Sequence, residues 1–359
     1  MSRVLNASYH LTLLLAALVG CSNKPPSHAD GGAGSDAGAG QAGSSDGAGT
    51  GGMVSEGGAA SGGSGTVDVV SGSARRLALG TEYGCALDTT DAVVCWGSPT
   101  LDDGQTKPPK GPFKHVRGYG SSNCAFGEGH DFECWGAPFG YAKGSKATDI
   151  GISTRHGCIL GTDGTIACAG DTTRPEAMPP TGTFRAVAAA PGRSCAIKPD
   201  GTLTCWGISG ADGHLDAPAG KYSKLALGEF NECAIREGDG QVVCWGAGKD
   251  GDPNGADPQG NYWGQSIPPA GAFADICAGL FHTCGIRADG TLACWGRGTQ
   301  TNNCQTTGEC GQAAPPAGTF WEVDCGATHT CAVAQDGSVS CWGSNSSDRA
   351  TPPAGLRAR

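Results

Sequence analysis

Seven times between residues 85 and 341 the chain sets two cysteines ten or eleven positions apart around a polar turn. The segments are CALDTTDAVVC (85–95), CAFGEGHDFEC (124–134), CILGTDGTIAC (158–168), CAIKPDGTLTC (195–205), CAIREGDGQVVC (233–244), CGIRADGTLAC (284–294) and CAVAQDGSVSC (331–341). Their starts lie 34 to 51 residues apart, the period of stacked or radial repeats. Each reads as a β-hairpin. Placing Cys195 opposite Cys205 leaves Pro199-Asp200-Gly201 as a three-residue loop, with Gly201 at the left-handed position of a type I turn plus G1 bulge. Asp-Gly recurs at 163–164, 239–240, 289–290 and 336–337. Directly opposed residues of antiparallel strands lie within disulfide range. The spacing therefore pairs Cys85–Cys95, Cys124–Cys134, Cys158–Cys168, Cys195–Cys205, Cys233–Cys244, Cys284–Cys294 and Cys331–Cys341. Each closure contributes roughly 2–3 kcal/mol by restricting the unfolded chain.

The hairpin is part of a longer unit. A short apolar strand precedes it, as in Leu77-Ala78-Leu79-Gly80 or Leu225-Ala226-Leu227-Gly228. Trp-Gly follows it in six of seven copies (Trp96, Trp135, Trp206, Trp245, Trp295, Trp342), with Ala169-Gly170 in the third. A polar stretch, often ending in Gly-Gln or Gly-His, then leads to Pro-Pro and an aromatic, as in Pro268-Pro269-Ala270-Gly271-Ala272-Phe273. Strands this short cannot fold alone, but seven three- or four-stranded blades can bury one another around an axis, with the Trp as filler between blades. The fold class expected is all-β. The first unit begins at its apolar strand without a preceding Pro-Pro segment. The last ends in Pro352-Pro353-Ala354-Gly355, so the C-terminal tail is expected to dock beside the first blade and close the ring.

The unit, with Gly-x-x-His-Thr-Cys (279–284), Asp-Gly and Trp-Gly as markers, resembles the regulator of chromosome condensation family in its bacterial, Cys-rich form. The resemblance covers about 73–359 and implies a seven-bladed β-propeller. The same superfamily includes the secreted β-lactamase-inhibitor propeller. The chromatin-associated member of the family promotes nucleotide exchange on a small GTPase, a role not carried over to an exported acidic chain.

Export is read from the first residues. Arg3 precedes an apolar run, Leu11–Val19, too short to cross a bilayer but suited to a signal peptide. Leu18-Val19-Gly20-Cys21 is similar to a bacterial lipobox, which makes Cys21 the lipidation site; the alternative is an ordinary signal peptide with a chance Cys. Ser22 after the Cys points to the outer membrane of the bacterial cell envelope. Residues 31–65 hold 15 of the 63 glycines and almost no large apolar group, so the stretch cannot offset its ordering entropy and reads as a disordered tether. The expected organisation is a signal peptide (1–20), lipidated Cys and tether (21–72) and the propeller (73–359). Within the tether, matches to G-x-S-x-G and G-x-G-x-x-G lack a flanking strand and helix and carry no chemistry.

Nineteen cysteines favour an oxidising compartment. Beyond Cys21 and the hairpins, Cys304 and Cys310 share one insertion and are expected to pair. Cys277 and Cys325 lie in the leading strands of units six and seven and are expected to bridge neighbouring blades. No C-x-x-C occurs, which argues against zinc. A net charge of −10 is the wrong sign for nucleic acid.

No catalytic signature is present, so an enzyme is not expected. The candidate binding face comprises the segments before each first Cys, which a propeller gathers around its axis: Tyr83, His156, Arg193, Phe230, Phe281, His282 and His329. The bland alternative for the three His is a bond to backbone within a recurrent turn. An insertion in unit five places Asp250, Asp252 and Asn254, with Asp257 behind, in the pattern that opens a calcium loop, but the closing Glu is replaced by Asn261; a solvated acidic loop is the competing reading. No other cofactor is implied. The function expected is a non-enzymatic, membrane-tethered, monomeric binding propeller for a protein or glycan ligand. The alternatives are an extracellular hydrolase or lyase with a site assembled from several blades, an inhibitor of a secreted enzyme, or a structural envelope protein.

Overall fold

The computed structural model describes residues 75–100, 102–137, 145–171, 173–210, 212–249, 263–299 and 310–358. Cys21, the tether, Asp250, Asp252, Asn254, Asp257 and Cys304 lie outside the described residues. Seven three-stranded antiparallel sheets follow one another in chain order. Blade one is β1 (Leu77–Leu79), β2 (Tyr83–Leu87) and β3 (Val93–Gly97); blade two is β4 (His115–Tyr119), β5 (Ser122–Phe126) and β6 (Phe132–Gly136). Blade three is β7 (Ala147–Ile152), β8 (His156–Gly161) and β9 (Ile166–Gly170); blade four is β10 (Ala186–Ala190), β11 (Arg193–Ile197) and β12 (Leu203–Gly207). Blade five is β13 (Tyr222–Leu227), β14 (Asn231–Arg236) and β15 (Val242–Gly246); blade six is β16 (Phe273–Ala278), β17 (His282–Arg287) and β18 (Leu292–Gly296). Blade seven is β19 (Phe320–Cys325), β20 (His329–Ala334) and β21 (Val339–Gly343). The molecule is a seven-bladed β-propeller, and the leading strand of each blade lines a central channel.

The hairpin turn forms as its residues dictate. Gly201 has φ +89°, its N–H reaches the Lys198 carbonyl at 2.9 Å, and Thr202 N–H donates to the Asp200 carboxylate at 2.9 Å. The turn fixes the register, and Cys195 stands directly opposite Cys205. All seven hairpin disulfides are present, with Cα atoms 4.0–4.1 Å apart. An eighth, Cys277–Cys325, joins β16 to β19.

The core lies between blades. One cluster joins Leu87 and Val93 of blade one to Val116 and Trp135 of blade two. Five of the six hairpin Trp also make one recurrent hydrogen bond from the indole N–H to a backbone carbonyl about thirty residues earlier, in the connection entering that blade. The acceptors are Gln105 for Trp135 (2.9 Å), Glu176 for Trp206 (3.1 Å), His214 for Trp245 (3.0 Å), Gln265 for Trp295 (2.8 Å) and Gln312 for Trp342 (3.0 Å). A buried indole N–H needs such a partner.

The tail closes the ring. Ala358 bridges to Asp88 of blade one, Arg357 bridges to Ser338 of blade seven, and Ala358 N–H donates to the Gly337 carbonyl at 2.8 Å. Leu356 and Ala358 pack with Leu77, Leu79, Trp96 and Val333. Carboxylates of blade seven add to this closure. Glu322 accepts the N–H groups of Arg76 and Leu77 at 2.9 Å, and Asp324 accepts that of Leu79 at 2.9 Å.

Candidate functional site

Strand direction separates two faces. Leading strands end, middle strands begin and outer strands end on one face, so the turns at 80–82, 228–230 and 279–281 share it with the segments that follow each Trp-Gly. The Asp-Gly hairpin tips lie on the other face. The face with the longer connections is the natural place for recognition, because loops there vary without disturbing the blades.

The structure corrects most of the expected binding face. Tyr83, His156, His282 and His329 are at most 1% exposed and Arg193 is 4% exposed. None is presented to solvent, because these residues begin the middle strands and are covered by the next blade. Each lies two positions before a hairpin Cys; His156, His282 and Arg193 reach the residue one position before the Cys in the following blade, and the Tyr83 hydroxyl donates to the Ser122 carbonyl at 3.3 Å. His156 Nε2 meets Ser194 Oγ at 2.7 Å, and His282 Nε2 meets Thr330 Oγ1 at 2.9 Å. Asn231 donates to Thr283 Oγ1 at 2.9 Å, and Arg193 pairs with Glu232. His156 and His282 therefore bond a neighbouring blade's hydroxyl rather than local backbone. Burial pushes the His282 imidazole down to about 3, and His329 likewise to about 3 with Arg349 adding to the effect. Both rings are buried and neutral, not acid–base groups, and His282 links two blades.

The Gly three positions earlier has a steric reason. A Cβ at Gly279 would sit 2.3 Å from His282 Cε1, and one at Gly326 would sit 2.2 Å from His329 Cε1. The ring folds back over the turn, and Gly is the residue that leaves room for it.

Of the expected face, Phe230 and Phe281 remain half-exposed. Their rings stack 4.9 Å apart at an interplanar angle of 2°, across the junction of blades five and six. The Arg297 guanidinium lies 5.5 Å from the Phe281 ring centroid and 4.4 Å from that of Trp263. Trp263 and Arg297 are also half-exposed. The result is a continuous ladder, Trp263–Arg297–Phe281–Phe230, on the loop face. Arg and aromatic groups of this kind desolvate at modest entropic cost and dominate protein interfaces. Sequence reasoning missed Arg297, whereas Trp263, at the end of the insertion in unit five, reads from sequence as either an exposed anchor or cover for the blade edge. The signal available was position, since both lie in segments that adjoin the turn carrying Phe281. Nearer the axis, the Tyr119 hydroxyl donates to Glu229 at 3.0 Å, spanning blade two to blade five.

Cys284, Cys325 and His282 bring possible soft-metal ligands within 4.8 Å of one another, but both sulfurs are committed to disulfides. A disulfide sulfur lacks the thiolate that zinc requires.

Comparison with known proteins follows this geometry. A family model described as the regulator of chromosome condensation (RCC1) repeat matches residues 273–302 and 322–348, within blades six and seven. The Arabidopsis thaliana serine/threonine-protein kinase-like protein CCR4 is 39% identical over 54 residues, 15% of this chain and 6% of that protein. Only a small part of that kinase-like protein's length is thus spanned. Among solved structures, the CRINKLY WD40 ectodomain of the A. thaliana receptor kinase ACR4 has a TM-score of 0.58 at 22% identity, covering 76% of this chain and 97% of that one. The entire ectodomain of the Physcomitrella patens receptor kinase CR4 also has a TM-score of 0.58, at 21% identity, covering 75% and 73%. Human WBSCR16 has a TM-score of 0.52 at 14% identity, covering 75% and 87%. These likenesses concern the fold. The chain is a seven-bladed propeller in which two segments, 273–302 and 322–348, match the repeat of the regulator of chromosome condensation family.

Proposed function

We propose that the protein is an exported, membrane-tethered binding propeller that takes a protein partner on its loop face, with the Trp263–Arg297–Phe281–Phe230 ladder as the anchor. The observation that carries this reading is the ladder itself, a half-exposed alternation of aromatic rings and a guanidinium where connections converge. Eight disulfides fit an oxidising compartment, outside the cytosol or within a cell envelope. The lipobox-like Cys21 and the Gly-rich segment after it fit a tether. Propellers of this fold serve as receptor-kinase ectodomains elsewhere, which accords with a recognition role.

Capture from envelope extract tests the reading, with residues 73–359 as bait and quantitative mass spectrometry of what is retained. A protein held by the wild type and depleted at least about tenfold by Phe230→Ala/Phe281→Ala, with the melting transition retained, supports it. An identical retained set for both baits contradicts it.

A further inference from the structure

A second feature lies on the axis, toward the face opposite the ladder. The channel encloses about 360 Å³, at the small end of the range for ligand sites, and Arg75, Arg117, Arg185 and Lys224 line it from four different blades. Arg75 and Arg185 precede leading strands, and Arg117 and Lys224 stand third in theirs. Tyr119, bonded to Glu229, narrows the channel toward the loop face.

The charges are layered. Arg117 holds Asp149 with two bonds, Nε to Oδ1 at 2.8 Å and Nη2 to Oδ2 at 3.0 Å, and Ile150 N–H occupies Oδ1 as well. Asp275 accepts both terminal nitrogens of Arg75, at 2.8 and 2.9 Å, and Lys224 at 3.0 Å. These two carboxylates are 5% and 4% exposed, whereas Arg117 is 22% and Lys224 30% exposed. Asp149 lines the cavity beside Arg117 and Asp275 stands behind Lys224; both carboxylates are neutralised by these cations, which are the more exposed partners. Lys224 uses one of its three N–H donors, and Arg117 Nη1 makes no bond among the described residues. Arg185, bonded outward to Tyr222 and Glu237, keeps a buried Nε with no partner. Asp324 also lines the cavity, but burial raises its carboxyl to about 6, against the pull of Arg75, so it gives up its charge readily at mildly acidic pH.

We infer that the axial cavity binds a small, multiply charged oxyanion bearing phosphate or carboxylate groups, held by Arg117, Lys224 and Arg185. Paired carboxylates fix the cations in place, and the cations line one cavity from separate blades, as charge-assisted recognition requires. The cavity's size limits the ligand to a small molecule. A protein with net charge −10 otherwise repels such anions, so the ring marks a local site rather than a general field.

Titration calorimetry of the full chain tests this with two probes, inorganic pyrophosphate and citrate, at constant ionic strength. Saturable one-to-one binding of either is expected; pyrophosphate alone identifies phosphate chemistry, and citrate alone identifies carboxylate chemistry. Lys224→Met leaves Asp275 paired with Arg75, and Arg117→Met/Asp149→Asn removes a charge pair together, so both variants are designed to fold. Each is expected to weaken binding at least about tenfold while keeping a cooperative melt. No saturable heat with either probe, or binding undiminished in folded variants, overturns the assignment. The loop-face variant Phe230→Ala/Phe281→Ala is expected to bind the probes as the wild type does.

Discussion

The Trp96 indole nitrogen donates to the carbonyl of Arg349 at 2.9 Å, across 253 positions of sequence. At every other Trp-bearing blade the acceptor comes from the connection just before it. At blade one the C-terminal tail supplies the carbonyl instead. Arg349 also donates to the Thr81 carbonyl at 2.9 Å, which fixes the tail against the first turn of blade one. The last repeat thus supplies the missing part of the first.

Removing residues 350–359 therefore strips Leu356 and Ala358 from the junction of blades seven and one while leaving every hairpin intact. Loss of the half-buried Leu356 and the buried Ala358, with the tail's hydrogen bonds, costs about 3–5 kcal/mol, and for a domain of this size the melting temperature is expected to fall by roughly 10 °C. Differential scanning calorimetry checks this, and an unchanged transition contradicts tail closure.

Glu322 gives a pH signature at the same junction. Burial raises its carboxyl to about 7, against the stabilising pull of Arg75 and the N–H groups of Leu77 and Arg76. The folded-state value exceeds that of the unfolded chain, so this group's contribution is full below about pH 4.5 and is lost as pH rises through 7. Thermal melts of wild type and Glu322→Gln between pH 5 and 8 are expected to change in relative order, with the wild type losing ground to the variant as pH rises. A difference independent of pH contradicts a raised carboxyl.

His282 acts in the opposite sense. Burial holds it neutral, with its ring pushed down to about 3, while an unfolded His takes up a proton near 6.5. Its contribution is complete above that value and declines as pH falls toward 3. His282→Gln, less stable at pH 7, is expected to lose less on acidification, so the two stabilities converge by roughly 2–3 kcal/mol at pH 4. Parallel curves contradict a neutral buried imidazole.

The Cys277–Cys325 bridge closes 48 residues between blades six and seven. Chain entropy assigns a loop of that length about 4 kcal/mol, less whatever the smaller loops inside it already restrict. Cys277→Ser/Cys325→Ser is expected to lower stability by about 2–4 kcal/mol in urea titration, and peptide mapping of the wild type is expected to yield a 277–325 cross-linked fragment. Separate 277 and 325 thiols in the native protein contradict the pairing.

The blades were legible because each depends on local chemistry. Cys195, Asp200, Gly201 and Cys205 specify a turn, a register and a cross-link within eleven residues. The Pro352–Gly355 fragment likewise showed that the ends complement each other. The middle-strand starts were misread because His282-Thr283 and Arg193-Ser194 are polar and resemble loop. Their burial comes from the next blade, whose hydroxyl or carboxylate satisfies them, and that partner lies tens of residues away. The Arg75–Asp275 pair, 200 positions apart, and the alignment of Arg297 between Trp263 and Phe281 arise from ring closure and blade packing. No local pattern encodes them.

The most direct test of the account is hydrogen–deuterium exchange of the propeller with and without a partner captured on it. Added protection is predicted on the loop face, at 228–230, 279–282 and 297–299, with the hairpin tips at 88–91, 199–201 and 288–290 unchanged. Protection confined to those hairpin tips, with the Phe230–Phe281 turns unaffected, would contradict recognition through the loop face.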